Sequence, residues 1–183
     1  MADAGRGAQV GSERRLTVGP GPHEVEPPAR AEDAGAEAGT TSYFLTARMA
    51  ARRIVANKSG VIMTVTALPS RTGTTLNGGY GPAMAAKEAL TRDLSAELAP
   101  QGIRVVGLRP HGIPETPTMK DVFELKRSGI TYEQFQEYLA RTTHPRRVMT
   151  LAEVANVAVF MASDKASGMT GTTVNLTMGS LDD

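Results

Sequence analysis

Gly60-Val-Ile-Met-Thr-Val-Thr-Ala-Leu-Pro-Ser70 is followed, after a glycine-rich gap, by Gly79-Tyr80 and Met84-Ala-Ala-Lys-Glu-Ala-Leu-Thr-Arg-Asp-Leu-Ser-Ala-Glu-Leu98. These residues decide the fold. Val61–Thr66 is a short run rich in β-branched side chains, which fit a pleated, half-buried surface. From about Gly81 to Leu98 the chain turns to Ala and Leu and reads as one long helix. Pro82 is tolerated there because first-turn amides need no intrahelical partner. Pro100 and Gly102 stop the helix, and Ile103–Leu108 reads as the next strand.

The alternation continues in both directions. Residues 43–57 place Phe44, Ala47, Ala51 and Val55 near one face, with Leu45 and Met49 beside them, as an amphipathic helix does. Downstream, Thr131-Tyr-Glu-Gln134 and Thr150-Leu-Ala-Glu153 are capping boxes that open two further helices. The second carries Val154, Val157, Ala158 and Met161 as an apolar stripe, and Gly171–Thr177 reads as a last strand. Strands separated by helices imply an α/β architecture, a parallel sheet with helices on both faces.

Residues 1–40 differ in kind. They are mostly Ala, Gly, Glu, Arg and Pro, with large apolar side chains nearly limited to Val10, Leu16, Val18 and Val25. Such a segment buries too little apolar surface to offset its chain entropy, so disorder is expected, although a short helix over Ala29–Ala38 is allowed. The whole chain of 183 residues suits one domain, and its net charge of +1 gives no general attraction to nucleic acid or anionic membranes. Without cysteine there is no disulfide, thiolate zinc site or Cys nucleophile. His23, His111 and His144 are too scattered to suggest a metal site. No apolar run approaches the roughly 20 residues of a membrane-spanning helix, and a cytoplasmic location is expected.

The stretches quoted above, with Gly102-Ile-Arg-Val-Val-Gly-Leu-Arg-Pro110, Arg147–Ala155 and Phe160–Gly171, resemble the short-chain dehydrogenase/reductase family from about Thr41 to Gly179. The resemblance implies a Rossmann-type sheet flanked by helices, of which residues 41–183 are the C-terminal part. The family's opening strand, glycine-rich turn and helix have no counterpart in residues 1–40. The expectation is therefore a domain truncated at its N-terminal half, preceded by an unrelated arm. The resemblance also implies NAD(P)-linked interconversion of a small carbonyl compound and an alcohol, with Tyr80 as proton donor. The family's catalytic Ser falls on Ala67 and its Lys on Met84. Pro110, Ile113 and Thr116 match its loop over the nicotinamide, with His111 where the family has Gly.

A free phenol has a pKa near 10, and a nearby ammonium lowers it by favouring the phenolate. Met84 carries no such charge, and Ala67 cannot donate to the reacting oxygen. Losing an oxyanion donor costs on the order of 10²–10³ in rate. Lys87, seven residues after Tyr80, lies about 10 Å along the helix axis. Thr66 or Ser70 could replace the Ser only through a local bend. The expectation is a weak or inactive oxidoreductase, with NAD or NADP as cofactor but bound weakly. Helices 43–57 and 81–98 match the pair through which family members commonly self-associate, so a homo-oligomer is expected. The alternatives are a non-catalytic binding or oligomerisation module, or a shortened gene product without independent function.

Overall fold

The computed structural model describes residues 30–73, 78–126 and 129–182, with eight main elements in chain order. These are α1 (Arg30–Ile54), β1 (Gly60–Val65), α2 (Tyr80–Leu98), β2 (Ile103–Pro110), α3 (Pro117–Lys126), α4 (Tyr132–Arg141), α5 (Leu151–Ala162) and β3 (Thr172–Leu176). The strands form one parallel sheet in the order β1-β2-β3, with Gly60 opposite Ile103 and Val106 opposite Thr172. Among the described residues β1 is paired on one side only.

The two faces of the sheet are covered differently. Ile62, Ile103 and Val105 point to one face and pack with Ala47 and Ala51 of α1 and Leu94 and Leu98 of α2. Val106 and Leu108 point to the other and pack with Val154 and Met161 of α5. This is the two-sided α/β arrangement expected from the sequence. The middle strand is buried throughout except for the partly covered Arg104, whose aliphatic stem lets its guanidinium reach past the sheet. There it donates to the carbonyls of Met161 and Ser163 at the carboxyl end of α5 and to that of Met169 beyond it.

Three local outcomes differ from the sequence reading. The helix expected over 43–57 runs from Arg30, joining the helix allowed near Ala29–Ala38, and its last residues form a 3-10 turn, Val55–Asn57. Its covered side is Tyr43, Ala47, Ala51 and Ile54, whereas Phe44, Leu45 and Met49 are exposed. Tyr43 takes the inner place, where its hydroxyl meets Thr91 Oγ1 at 3.3 Å. Helix α3 had no counterpart in the sequence reading. Its start is written in Thr116-Pro117: the Thr hydroxyl accepts from Met119 N, and Pro fits the first helical position. Both expected capping boxes are present, at Thr131/Gln134 and Thr150/Glu153.

Candidate functional site

Parallel open sheets present ligands at the carboxyl ends of their strands, and this is where the sequence-predicted residues gather. Strand β1 ends at Val65, Thr66 turns inward, and Ala67 is extended (φ −155°, ψ 160°) before a single 3-10 turn, Leu68–Ser70. That turn lies directly on the first turn of α2. A Cβ at Gly81 would stand 2.8 Å from the Pro69 carbonyl oxygen, so only glycine lets the two backbones meet. The segment carrying Ala67 is thereby brought against the helix carrying Tyr80 and Met84.

Tyr80 opens α2 and is 43% exposed. Burial of the remainder of the ring holds its phenol above the ordinary value, and no charge or hydrogen bond among the described residues offsets this. Met84, one turn on, is buried at 7% exposure. The Lys87 ammonium lies beside α1, its Nζ 3.9 Å from where a Cβ on Gly39 would be.

The hydroxyls nearest Ala67 are engaged elsewhere. Thr66 Oγ1 donates to Glu88 Oε1 at 3.0 Å and also lies 3.2 Å from the Leu108 carbonyl. Ser70 Oγ donates to the same Glu88 oxygen at 2.6 Å. Arg109 completes the set, with Nε to Oε1 and Nη2 to Oε2 both at 2.8 Å. The ion pair is almost sealed from solvent, its two side chains being 3% and 4% exposed. Burial alone would raise the Glu88 carboxyl. The hydrogen bonds from Arg109, Ser70 and Thr66, with the Arg109 charge, outweigh it and hold the group below the usual carboxylate range.

Sequence reasoning missed this cluster, although a signal was present. Met84, Glu88, Thr91, Ser95 and Leu98 recur at helical spacing and are all buried, so Glu88 stands on the buried face of α2. Arg109 shares a face of β2 with Ile103 and Val105. Two opposite charges at core positions are a pairing waiting to be read.

The loop after β2 is held from several sides. Pro110 closes the strand opposite Leu176, and His111 N donates to the Leu176 carbonyl. The His111 backbone is not left-handed, so the exchange of Gly for His needs no unusual φ. Its ring is buried, with Nε2 2.9 Å from Thr142 Oγ1. The Thr142 hydroxyl itself donates to Leu139 O, so Nε2 carries the proton. Burial holds this imidazole below its ordinary pKa, with the Gly112 carbonyl opposing. Ile113 is part of the core on the α5 side. The Thr116 hydroxyl donates to Ile113 O at 2.8 Å while capping α3. Tyr132 donates to the Pro114 carbonyl, and the Glu115 carboxylate accepts from Leu151 N at the start of α5.

A surface depression of about 550 Å³ flanks the site, between Pro69–Gly73 and the α2 residues Gly81, Pro82 and Ala85. Neither Tyr80 nor Ala67 lines it. Among the described residues no three His, Asp or Glu side chains are grouped as metal ligands, and no helix is long and apolar enough to cross a membrane.

Residues 31–180 match the family model described as enoyl-(acyl carrier protein) reductase. The chain is similar to sorbitol-6-phosphate 2-dehydrogenase of Klebsiella pneumoniae, 34% identical over 142 residues, which are 74% of this chain and 52% of that protein. It is 30% identical to (+)-borneol dehydrogenase 2 of Salvia officinalis over 129 residues, 70% of this chain and 46% of that one. The solved sorbitol-6-phosphate 2-dehydrogenase from Erwinia amylovora superposes with a TM-score of 0.77 at 26% identity, over 85% of this chain and 62% of that one. A 7α-hydroxysteroid dehydrogenase, solved with NADH and 7-oxo glycochenodeoxycholic acid, gives a TM-score of 0.74 at 26% identity, over 87% and 59%. The chain spans about half the length of the curated relatives it matches.

Proposed function

This chain belongs to the short-chain dehydrogenase/reductase family, and from that we propose that it carries a depleted oxidoreductase site built around Tyr80, with weak or no turnover as it stands. The reaction class is carbonyl/alcohol interconversion on a small molecule, and the cofactor class is NAD or NADP. The observation that carries this reading is the isolation of Tyr80. Its phenol is held above its ordinary pKa by burial, and no ammonium among the described residues is close enough to lower it. The two hydroxyls next to Ala67 give their protons to Glu88. A phenol in that state is a poor proton shuttle near neutrality.

The 110–116 segment is a poor fit for a dinucleotide. Ile113 is packed in the core, the Thr116 hydroxyl is committed to Ile113 O, and the His111 ring is turned to Thr142. Dinucleotide binding is therefore expected to be weak. Calorimetric titration with the four NAD(P) forms checks this, and a dissociation constant in the low micromolar range overturns it. Turnover is tested by following NADPH and NADH absorbance with a panel of sugar, terpenoid and steroid carbonyls. A Tyr80-dependent rate, lost in Tyr80→Phe, would show the site to be competent after all. The double variant Ala67→Ser/Met84→Lys is expected to leave the bare chain without measurable turnover.

A second reading, a non-catalytic oligomerisation module, is favoured by the apolar side chains on α1. Leu45 is 47% and Met49 60% exposed. Helices 43–57 and 81–98 would form the contact in a homo-oligomer, with the cytoplasm as the expected compartment. Light scattering after size exclusion decides it, and a monodisperse monomer at high concentration removes this reading.

A further inference from the structure

We propose that Glu88 is a positioning residue of the Tyr80 site, setting where the segment that carries Ala67 stands relative to the phenol; the proposal rests on the family register of the preceding section. Its carboxylate joins the three pieces from which the site is made. Thr66 and Ser70 bracket Ala67 on the segment after β1, and both donate to Oε1. Arg109, at the end of β2 and next to the loop 110–116, donates to both oxygens. Glu88 itself stands on the buried face of α2, four residues beyond Met84 and eight beyond Tyr80.

Four charge-assisted hydrogen bonds on one buried carboxylate fix its neighbours more tightly than apolar packing does, because each donor has one direction to satisfy. At the other end the same 66–70 segment touches α2 through Pro69 and Gly81. The segment is thus pinned along two turns of the helix, and Ala67 lies within the pinned stretch. The same bonds explain why a neighbouring hydroxyl does not replace the missing one. While Thr66 and Ser70 donate to Glu88, neither has a proton for a group beside Tyr80.

The test uses the ionisation of Tyr80, which a residue acting only on stability would not move. Tyrosine labelled with 13C at Cζ, with Tyr80→Phe to assign the signal, is titrated in the Ala67→Ser chain with and without Glu88→Gln. The hydroxyl introduced at position 67, hydrogen-bonded to the phenol oxygen, is expected to lower the phenol pKa measurably. Glu88→Gln is expected to return most of that shift with the helical content unchanged. If Glu88→Gln fails to fold, Ser70→Ala carries the test, since it leaves the ion pair in place and is expected to return a smaller, measurable part. Absence of any lowering in Ala67→Ser alone overturns the family register and this proposal with it. A full lowering that survives both Glu88→Gln and Ser70→Ala leaves the register intact and overturns the positioning role.

Discussion

Tyr80 and Glu88 sit on one helix, eight residues and about 12 Å apart, and the chain treats them in opposite ways. At Glu88, donors from β1, the following turn and β2 converge on a single carboxylate, with every lone pair of one oxygen in use. At Tyr80 the backbone elements converge as closely, with Pro69 resting on Gly81, yet the side chains they deliver are a methyl and a thioether. Packing and chemistry are therefore separable in this fold. Backbone contacts place a position, and only the side chain standing there decides what the position can do.

The sharpest way to break this contrast is to remove the carboxylate. Glu88→Ala takes from the buried Arg109 guanidinium the carboxylate that its Nε and Nη2 contact, a loss of about 3–5 kcal/mol. Urea unfolding measures it, and a loss under about 1 kcal/mol would show the cluster to be solvated in solution. Replacing both partners with apolar side chains of similar volume is expected to recover most of the stability.

Gly81→Ala attacks the other end of the same segment. The new methyl meets the Pro69 carbonyl, which is backbone and cannot swing aside, and a cost of about 1–3 kcal/mol is expected. Wild-type stability in this variant would mean that the turn is not seated on α2.

Acid should unmake the structure in two stages. The His111 pKa is depressed by burial, so its contribution is present above about pH 6.5 and is lost as pH falls through the folded value. The Glu88 pKa is also depressed, so its contribution is complete above about pH 4.3 and is lost below that. Unfolding midpoints between pH 8 and pH 3 are expected to fall first through the histidine stage. His111→Gln should remove that first stage, and Glu88→Gln should shrink the second, to which the Glu153 carboxylate paired with Arg147 also contributes.

Tyr80→Phe is the smallest perturbation. Its hydroxyl has no partner among the described residues, so the change should stay within about 0.5 kcal/mol. In the parent chain the Tyr80 phenol is expected to ionise later than a free tyrosine, above about pH 10, which absorbance at 295 nm can follow.

The strands and α2 were legible because their signals are local: β-branched runs, an Ala/Leu stretch bounded by Pro100 and Gly102, and capping boxes three residues long. The same holds for the family motif around Tyr80. The Glu88–Arg109 pair was not legible, because its partners lie 21 residues apart and meet only through the register of β2 against α2. A glutamate in a helix reads as solvated until the stripe it interrupts is known to be buried. Helix α1 was misjudged for a related reason. Phe44 and Tyr43 are adjacent and both could face inward; Tyr43 is the one packed against the core with Ala47, Ala51 and Ile54, where its hydroxyl finds polar partners.

Arg104 gives the fold an order of release. The last carbonyls of any helix lack intrahelical donors, and such ends fray first. In α5 the carbonyls of Met161 and Ser163, with that of Met169 beyond the helix, are held by one guanidinium rooted in the central strand. Fraying at this end must strip a half-buried cation of its acceptors, so the carboxyl end of α5 opens with the sheet and not before it. In amide exchange, the last turn of α5 should belong to the same slow cooperative unit as Val105 and Val106, while the exposed helix α4 exchanges ahead of both.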